Sequence, residues 1–172
     1  MPSNSQFPDI LAGADYTAGL LASMLPLAAW KAADTSIASS ATLANDPDLS
    51  VAVGASQTWA FQAMLSYTGD ATGSGGIKFT WTCPSGGTLN WMSVYYSTAV
   101  GAGDLNASSF VGSGTTRTAV TDGTTQLPIT IQGILVNGAT AGNLQLQWAQ
   151  NASDATATVM KAGSLLLARR LA

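Results

Sequence analysis

The side chains that could do chemistry in this chain are few. It has no histidine and no glutamate, and nine aspartates among 172 residues. Histidine is the side chain whose ordinary pKa lies near neutrality. Its absence excludes a Ser-His-Asp triad, a Cys-His pair and an ordinary zinc site. What remains is aspartate, a few lysines and one cysteine. Asp46 and Asp48 form the closest carboxylate pair. Two such groups perform acid–base work when one of them is held protonated. Pro47 lies between them, and Leu49 and Val51 begin an alternating run, so a turn-and-cap role is the expectation. Asp70, Asp104 and Asp122 sit in glycine-rich stretches and offer oxygen to calcium, but no loop has the dense spacing of a dedicated site.

Cys83 has no partner for an intrachain disulfide. A reactive thiol needs a neighbouring cation or a helix start. Cys83 instead ends an apolar alternation and precedes Pro84, which suits a small buried or half-buried side chain. The run Gly73-Ser-Gly-Gly-Ile-Lys78 lacks the Gly-Lys-Ser/Thr ending of a phosphate-binding loop and leads into a strand pattern, so it reads as a hairpin loop. Asn106-Ala-Ser108 and Asn151-Ala-Ser153 match the glycosylation sequon without a secretory signal before them. The chain is therefore expected to hold no metal or cofactor and to be no enzyme.

Composition points the same way. Charged residues make up 9% of the chain, against roughly 25% in an ordinary soluble domain. The net charge is −3 and the six basic residues are scattered, with Arg169 and Arg170 the one adjacent pair. That is no footprint for nucleic acid. Those two arginines are expected on the last strand, facing solvent or a neighbouring subunit. Residues 16–30 carry no charge. They are shorter than a membrane span needs and are interrupted by Pro26. No basic residue precedes them, as a signal peptide would require. Neither secretion by such a signal nor membrane anchoring is expected.

Two regions must position these groups. Residues 1–35 read as an arm: a polar, proline-punctuated start, then a short helix capped by Asp15. Leu20, Leu21, Met24 and Leu25 recur in it at helical spacing until Pro26 stops it. Two or three turns of helix are unstable alone in water. Phe7, Leu20, Leu21, Met24, Leu25 and Trp30 are thus candidates to dock on another surface. From residue 36 to 172 the period becomes two. Trp59, Phe61, Ala63, Leu65 and Tyr67 share one face, and Thr58, Ala60, Gln62, Met64 and Ser66 the other. Similar alternation over residues 77–82, 129–132 and 144–149, with Gly-, Asn- and Asp-rich turns between, predicts antiparallel strands. About eight of them indicate an all-β sandwich, jelly-roll-like, preceded by the arm. Trp59, Phe61, Phe79, Trp81, Trp91 and Trp148 are expected in its core. Tyr95 and Tyr96 are adjacent, so one must look outward, and both are candidates for stacking on a glycan.

Three stretches carry a resemblance. They are Ala18-Gly-Leu-Leu-Ala-Ser-Met-Leu-Pro26 followed by Lys31 to Thr35, then Ala44-Asn-Asp-Pro-Asp-Leu49 leading into the strand with Trp59, and finally Ala141 to Thr158 with Ala162-Gly-Ser-Leu-Leu-Leu-Ala-Arg-Arg170. Together they resemble virion structural proteins of tailed bacteriophages, especially those infecting actinobacteria. Residues 84–125 match nothing in that pattern. The resemblance implies a β-sandwich assembled as a homotrimer on the particle surface, with no catalytic residues. Two roles are open. One is a capsid decoration (cement) protein whose arm docks on the major capsid protein or a neighbouring copy. The other is a minor tail or fibre protein that binds a host glycan through exposed aromatics. One compact sandwich after one arm, with no long shaft, favours the first.

Overall fold

The computed structural model describes residues 17–18, 25–70, 75–97, 105–123 and 125–171. Among them are twelve strands. Eight build the body: β3 (Ala44–Val53), β4 (Thr58–Thr68), β5 (Ile77–Thr82), β6 (Thr88–Tyr96), β7 (Leu105–Ala107), β8 (Arg117–Ala119), β9 (Leu127–Val136) and β10 (Gly142–Gln150). They pair in a nested series, β3 with β10, β4 with β9, β5 with β8 and β6 with β7, all antiparallel. Further pairing of β10 with β5 and β9 with β6 rolls this ribbon into two sheets. The resulting orders, β3-β10-β5-β8 and β4-β9-β6-β7, are those of a jelly roll. The expected all-β sandwich is therefore the observed fold.

Four more strands come from the chain's ends. β12 (Leu165–Arg170) adds beside β4, and β1 (Leu27–Trp30) adds beside β12. β11 (Thr158–Met160) pairs with β4 and with β2 (Thr35–Ile37). The sheet boundary expected at residue 36 thus moves forward: β1 lies wholly within the stretch read as an arm. Its four residues show no alternation that could mark a strand, and pairing with β12 supplies the order. The helix expected between Asp15 and Pro26 falls almost wholly outside the described residues.

The core lies between the sheets. Trp59, Phe61, Phe79, Trp81, Trp91 and Trp148 are all buried there. Burying each stabilises the fold by about 1.5–3 kcal/mol or more. Phe61 packs on Trp81 with ring centroids 5.1 Å apart, tying β4 to β5 across the interface. Phe61 also lies over Gly133, which faces it in the β4–β9 register. A Cβ at Gly133 would stand 2.3 Å from that ring and 2.8 Å from the Asn90 carbonyl oxygen, so glycine is required for the strands and ring to fit.

Candidate interaction surface

Register decides what the eight-stranded sheet presents away from the core. Trp30 faces Leu165, and Leu165 faces Met64. Ala28 faces Leu167, which faces Gln62. Ala60 faces Ile134, and Thr58 faces Val136. Paired residues share a face. The outer face therefore carries Trp30, Leu165, Leu167, Met64, Ile134 and Val136 together. Trp30 is 62% exposed, Met64 66%, Val136 52% and Ile134 47%. Arg169 is the one charged residue among the outward positions of β1, β12, β4, β9 and β6. A shallow groove of about 300 Å³ opens on this side, lined by Pro26, Ala60, Phe61, Gln62, Leu167, Ala168 and Arg169. Pro26 is where the arm joins the sheet. Gln62, Gln132, Thr130 and Asn90 lie among these apolar side chains on the same face, so the exposed apolar area is large but interrupted by amides and hydroxyls.

The expected arm residues divide. Leu25, two residues before β1, and Trp30, its last residue, are exposed, while Phe7, Leu20, Leu21 and Met24 lie outside the described residues. The expected aromatic pair changes more. Tyr95 is buried, pointing inward with its ring edge-on to Phe79 at 5.8 Å. It offers no face to a glycan, because alternation along β6 places it with Leu89, Trp91 and Ser93 on the core side. Tyr96 is half-buried against the core margin. Among the described residues the large exposed aromatics are Trp30 and Phe110, the latter 63% exposed in the segment between β7 and β8. Phe110 carries no periodic signal in the sequence.

Charge is concentrated elsewhere. Lys31, directly after β1, is completely buried and ion-paired with Asp46 at 3.0 Å and Asp48 at 2.9 Å. The Asp46-Pro47-Asp48 segment does cap as expected, since Asp46 Oδ1 accepts the backbone N–H of Asp48 and of Leu49, both at 3.0 Å. It does so inside β3, as a bulge where the register to β10 slips between Gln145 and Gln147, and not in a loop between strands. Asp34 pairs with Lys161 and accepts the Ala162 N–H at 2.7 Å. These bonds, the Lys161 one foremost, hold its carboxyl below the ordinary carboxylate range. The Tyr67 hydroxyl donates to the Val120 carbonyl at 2.7 Å, and burial, with Asp122 nearby, pushes its pKa far up.

No group of three or more metal-ligating side chains of the His, Cys, Asp and Glu types occurs among the described residues, and Asp104 lies outside them. Cys83 is half-buried, its thiol 3.7 Å from the Gly87 carbonyl. No helix among the described residues is long and apolar enough to cross a membrane.

No protein-family model and no curated protein matches the chain. Among solved structures it is similar to infectious bursal disease virus of the Gx strain, with 14% identity over 96% of this chain and a TM-score of 0.19. The Gt strain structure gives 12% identity, 99% coverage and 0.19. A mutant VP2 protein of the same virus in derived T=1 particles gives 12%, 99% and 0.18. The chain spans 41%, 40% and 43% of the length of those three chains.

Proposed function

We propose that this chain is a virion structural protein: a capsid decoration protein on the particle exterior, contacting the major capsid protein through its arm and the outer face of its larger sheet. The observation that carries this reading is the apolar outer face joined at Pro26 to an apolar arm. Both carry apolar side chains that gain by being covered, and Arg169 is the one charge among the outward positions of the face. The sequence resemblance to tailed-phage virion proteins supports the same role, and the jelly roll suits it as a rigid surface module. Assembly as a homotrimer belongs to this reading; the four-residue edge strand β1, which no charge guards, favours it.

Co-sedimentation with capsids tests the role. The wild type is expected to pellet with particles, and the double variant Leu21→Asp plus Leu25→Asp to stay in the supernatant. Unchanged binding of that variant would remove the arm from the account. Copy number against the major capsid protein, by quantitative mass spectrometry, separates the decoration role from a second reading. A ratio of one, or a simple fraction such as one third, fits a decorated lattice. A few copies per particle would fit a tail or fibre subunit that binds a host glycan, for which the exposed Phe110 ring is the available platform.

A further inference from the structure

The buried lysine is placed for a covalent reaction. Lys31 Nζ lies 3.1 Å from Oδ1 and 3.0 Å from Oδ2 of Asp46, 2.9 Å from Oδ2 of Asp48 and 2.9 Å from the Thr35 hydroxyl. The side chains of Lys31 and Asp46 are wholly shielded from water. Trp148 Nε1 donates to Asp46 Oδ2 at 2.9 Å and fixes that carboxyl from the other side. Asp46 Oδ1 already accepts two backbone N–H groups. An amine in contact with a carboxyl, a second carboxyl on the amine, and paired N–H donors on one carboxyl oxygen are the parts that amide formation requires.

We propose that Lys31 and Asp46 condense into an intramolecular isopeptide bond, with Asp48 carrying the proton. The reaction begins as an ammonium and two carboxylates. One proton passes from Nζ to Asp46 Oδ2, leaving a neutral amine and a neutral acid in contact. The nitrogen lone pair attacks Asp46 Cγ, and charge develops on Oδ1, where the Asp48 and Leu49 N–H groups receive it. Asp48 takes the surplus proton from nitrogen and delivers it to the Oδ2 hydroxyl. The Cγ–Oδ2 bond breaks, water departs, and Oδ1 becomes the amide carbonyl. One N–C bond forms, one C–O bond breaks, and Asp48 ends as it began. No oxidant or co-reactant is consumed.

Holding the groups together replaces an encounter in solution, an advantage that reaches effective concentrations of about 10⁵–10⁸ M in well-oriented cases. Condensation also removes two charges from a site where charge is costly to hold. The Asp48 side chain is 40% exposed, which gives the released water an exit. Lys31 follows β1 on the larger sheet, and Asp46 lies in β3 on the smaller. The bond would join the sheets where the arm enters the domain, so force on the arm would stop at Lys31. The reaction does not depend on the role proposed above.

Mass spectrometry of the purified full chain decides it. The wild type is expected to be lighter than its sequence by one water. Trypsin should then fail to separate residues 1–31 from 32–78, because Lys31 no longer has a free amine. Asp46→Asn is expected to be lighter by one ammonia, while Lys31→Arg and Asp48→Asn return to full sequence mass. A wild type at full mass, cut after Lys31, would overturn the proposal and leave an ion pair only. A water loss that persists in Lys31→Arg would overturn it too, and would point to a succinimide at Asp122-Gly123. Water loss persisting in Asp48→Asn would overturn the assignment of the proton carrier.

Discussion

The outer faces of the two sheets are built by the same alternation and differ in how much large apolar surface they expose. On the smaller sheet the outward positions are Ser50 and Ala52 in β3, Asn143, Gln145 and Gln147 in β10, Lys78 and Thr82 in β5, and Thr118 in β8. Amides and hydroxyls dominate, and several bond their neighbours, as Gln147 does to Asn45 at 2.8 Å. On the larger sheet the equivalent positions include Trp30, Met64, Ile134, Val136 and Leu167, interspersed with Gln62, Gln132, Thr130 and Asn90. One sheet faces water on terms that stabilise it alone. The other exposes area that gains by being covered, at about 25 cal/mol per Å² of apolar surface. The difference teaches that the jelly roll has one more polar and one more apolar outer face, that the terminal strands β1 and β12 widen the apolar one, and that the proposed contact belongs there.

The sharpest way to break this contrast is to charge each face in turn. Met64→Asp with Ile134→Asp would bury carboxylates in an apolar contact, and particle binding is expected to fall on the order of a thousandfold or more. Ala52→Asp with Thr118→Asp on the smaller sheet is expected to leave it unchanged. Equal losses in co-sedimentation would erase the distinction between the faces.

Stability should show the reverse asymmetry within one strand. Ile131 is fully buried and Ile134 half-exposed on β9. Ile131→Ala is expected to cost about 2–5 kcal/mol in denaturant unfolding of the free protein, and Ile134→Ala about 0.5 kcal/mol or less. Comparable costs would mean that the outer residue is already covered. Gly133→Ala should cost about 1–3 kcal/mol, because Phe61 and the Asn90 carbonyl occupy the space a methyl needs. An unchanged denaturation midpoint would show that the ring moves freely.

The smallest effect concerns Asp34. Its pKa is depressed in the folded state, so its contribution is present above the ordinary value of 3.8 and fades as pH falls through the lower folded value. The pair with Lys161 is exposed and screened by salt. Asp34→Asn is expected to flatten the acid limb of the stability profile slightly, and less so in high salt. A change confined to neutral pH would contradict this origin.

Much of the body was legible because period two needs five or six residues to be visible. β4, β9 and β10 are long enough, and their alternation places Met64 opposite Trp59 without any structure. β1, β2, β7, β8 and β11 have three or four residues each and owe their order to a neighbour, so no local pattern announces them. Asp46 read correctly as a cap, while the Asp48 side chain turned out to pair with Lys31 instead. Their meeting with Lys31 could not be read, because it depends on β1 pairing with β12 and then reaching across to a bulge in β3. Tyr95 and Tyr96 show the limit of alternation. It says that neighbours diverge, and the register of β6 with β9 decides which one is inside.

Radical footprinting of the free protein and of intact particles tests the central claim most directly. Met64 and Trp30 are expected to be oxidised readily in the free protein and protected on the particle, while Phe110 stays reactive in both. Met64 and Trp30 equally reactive in both states would show that the apolar face is not the contact side.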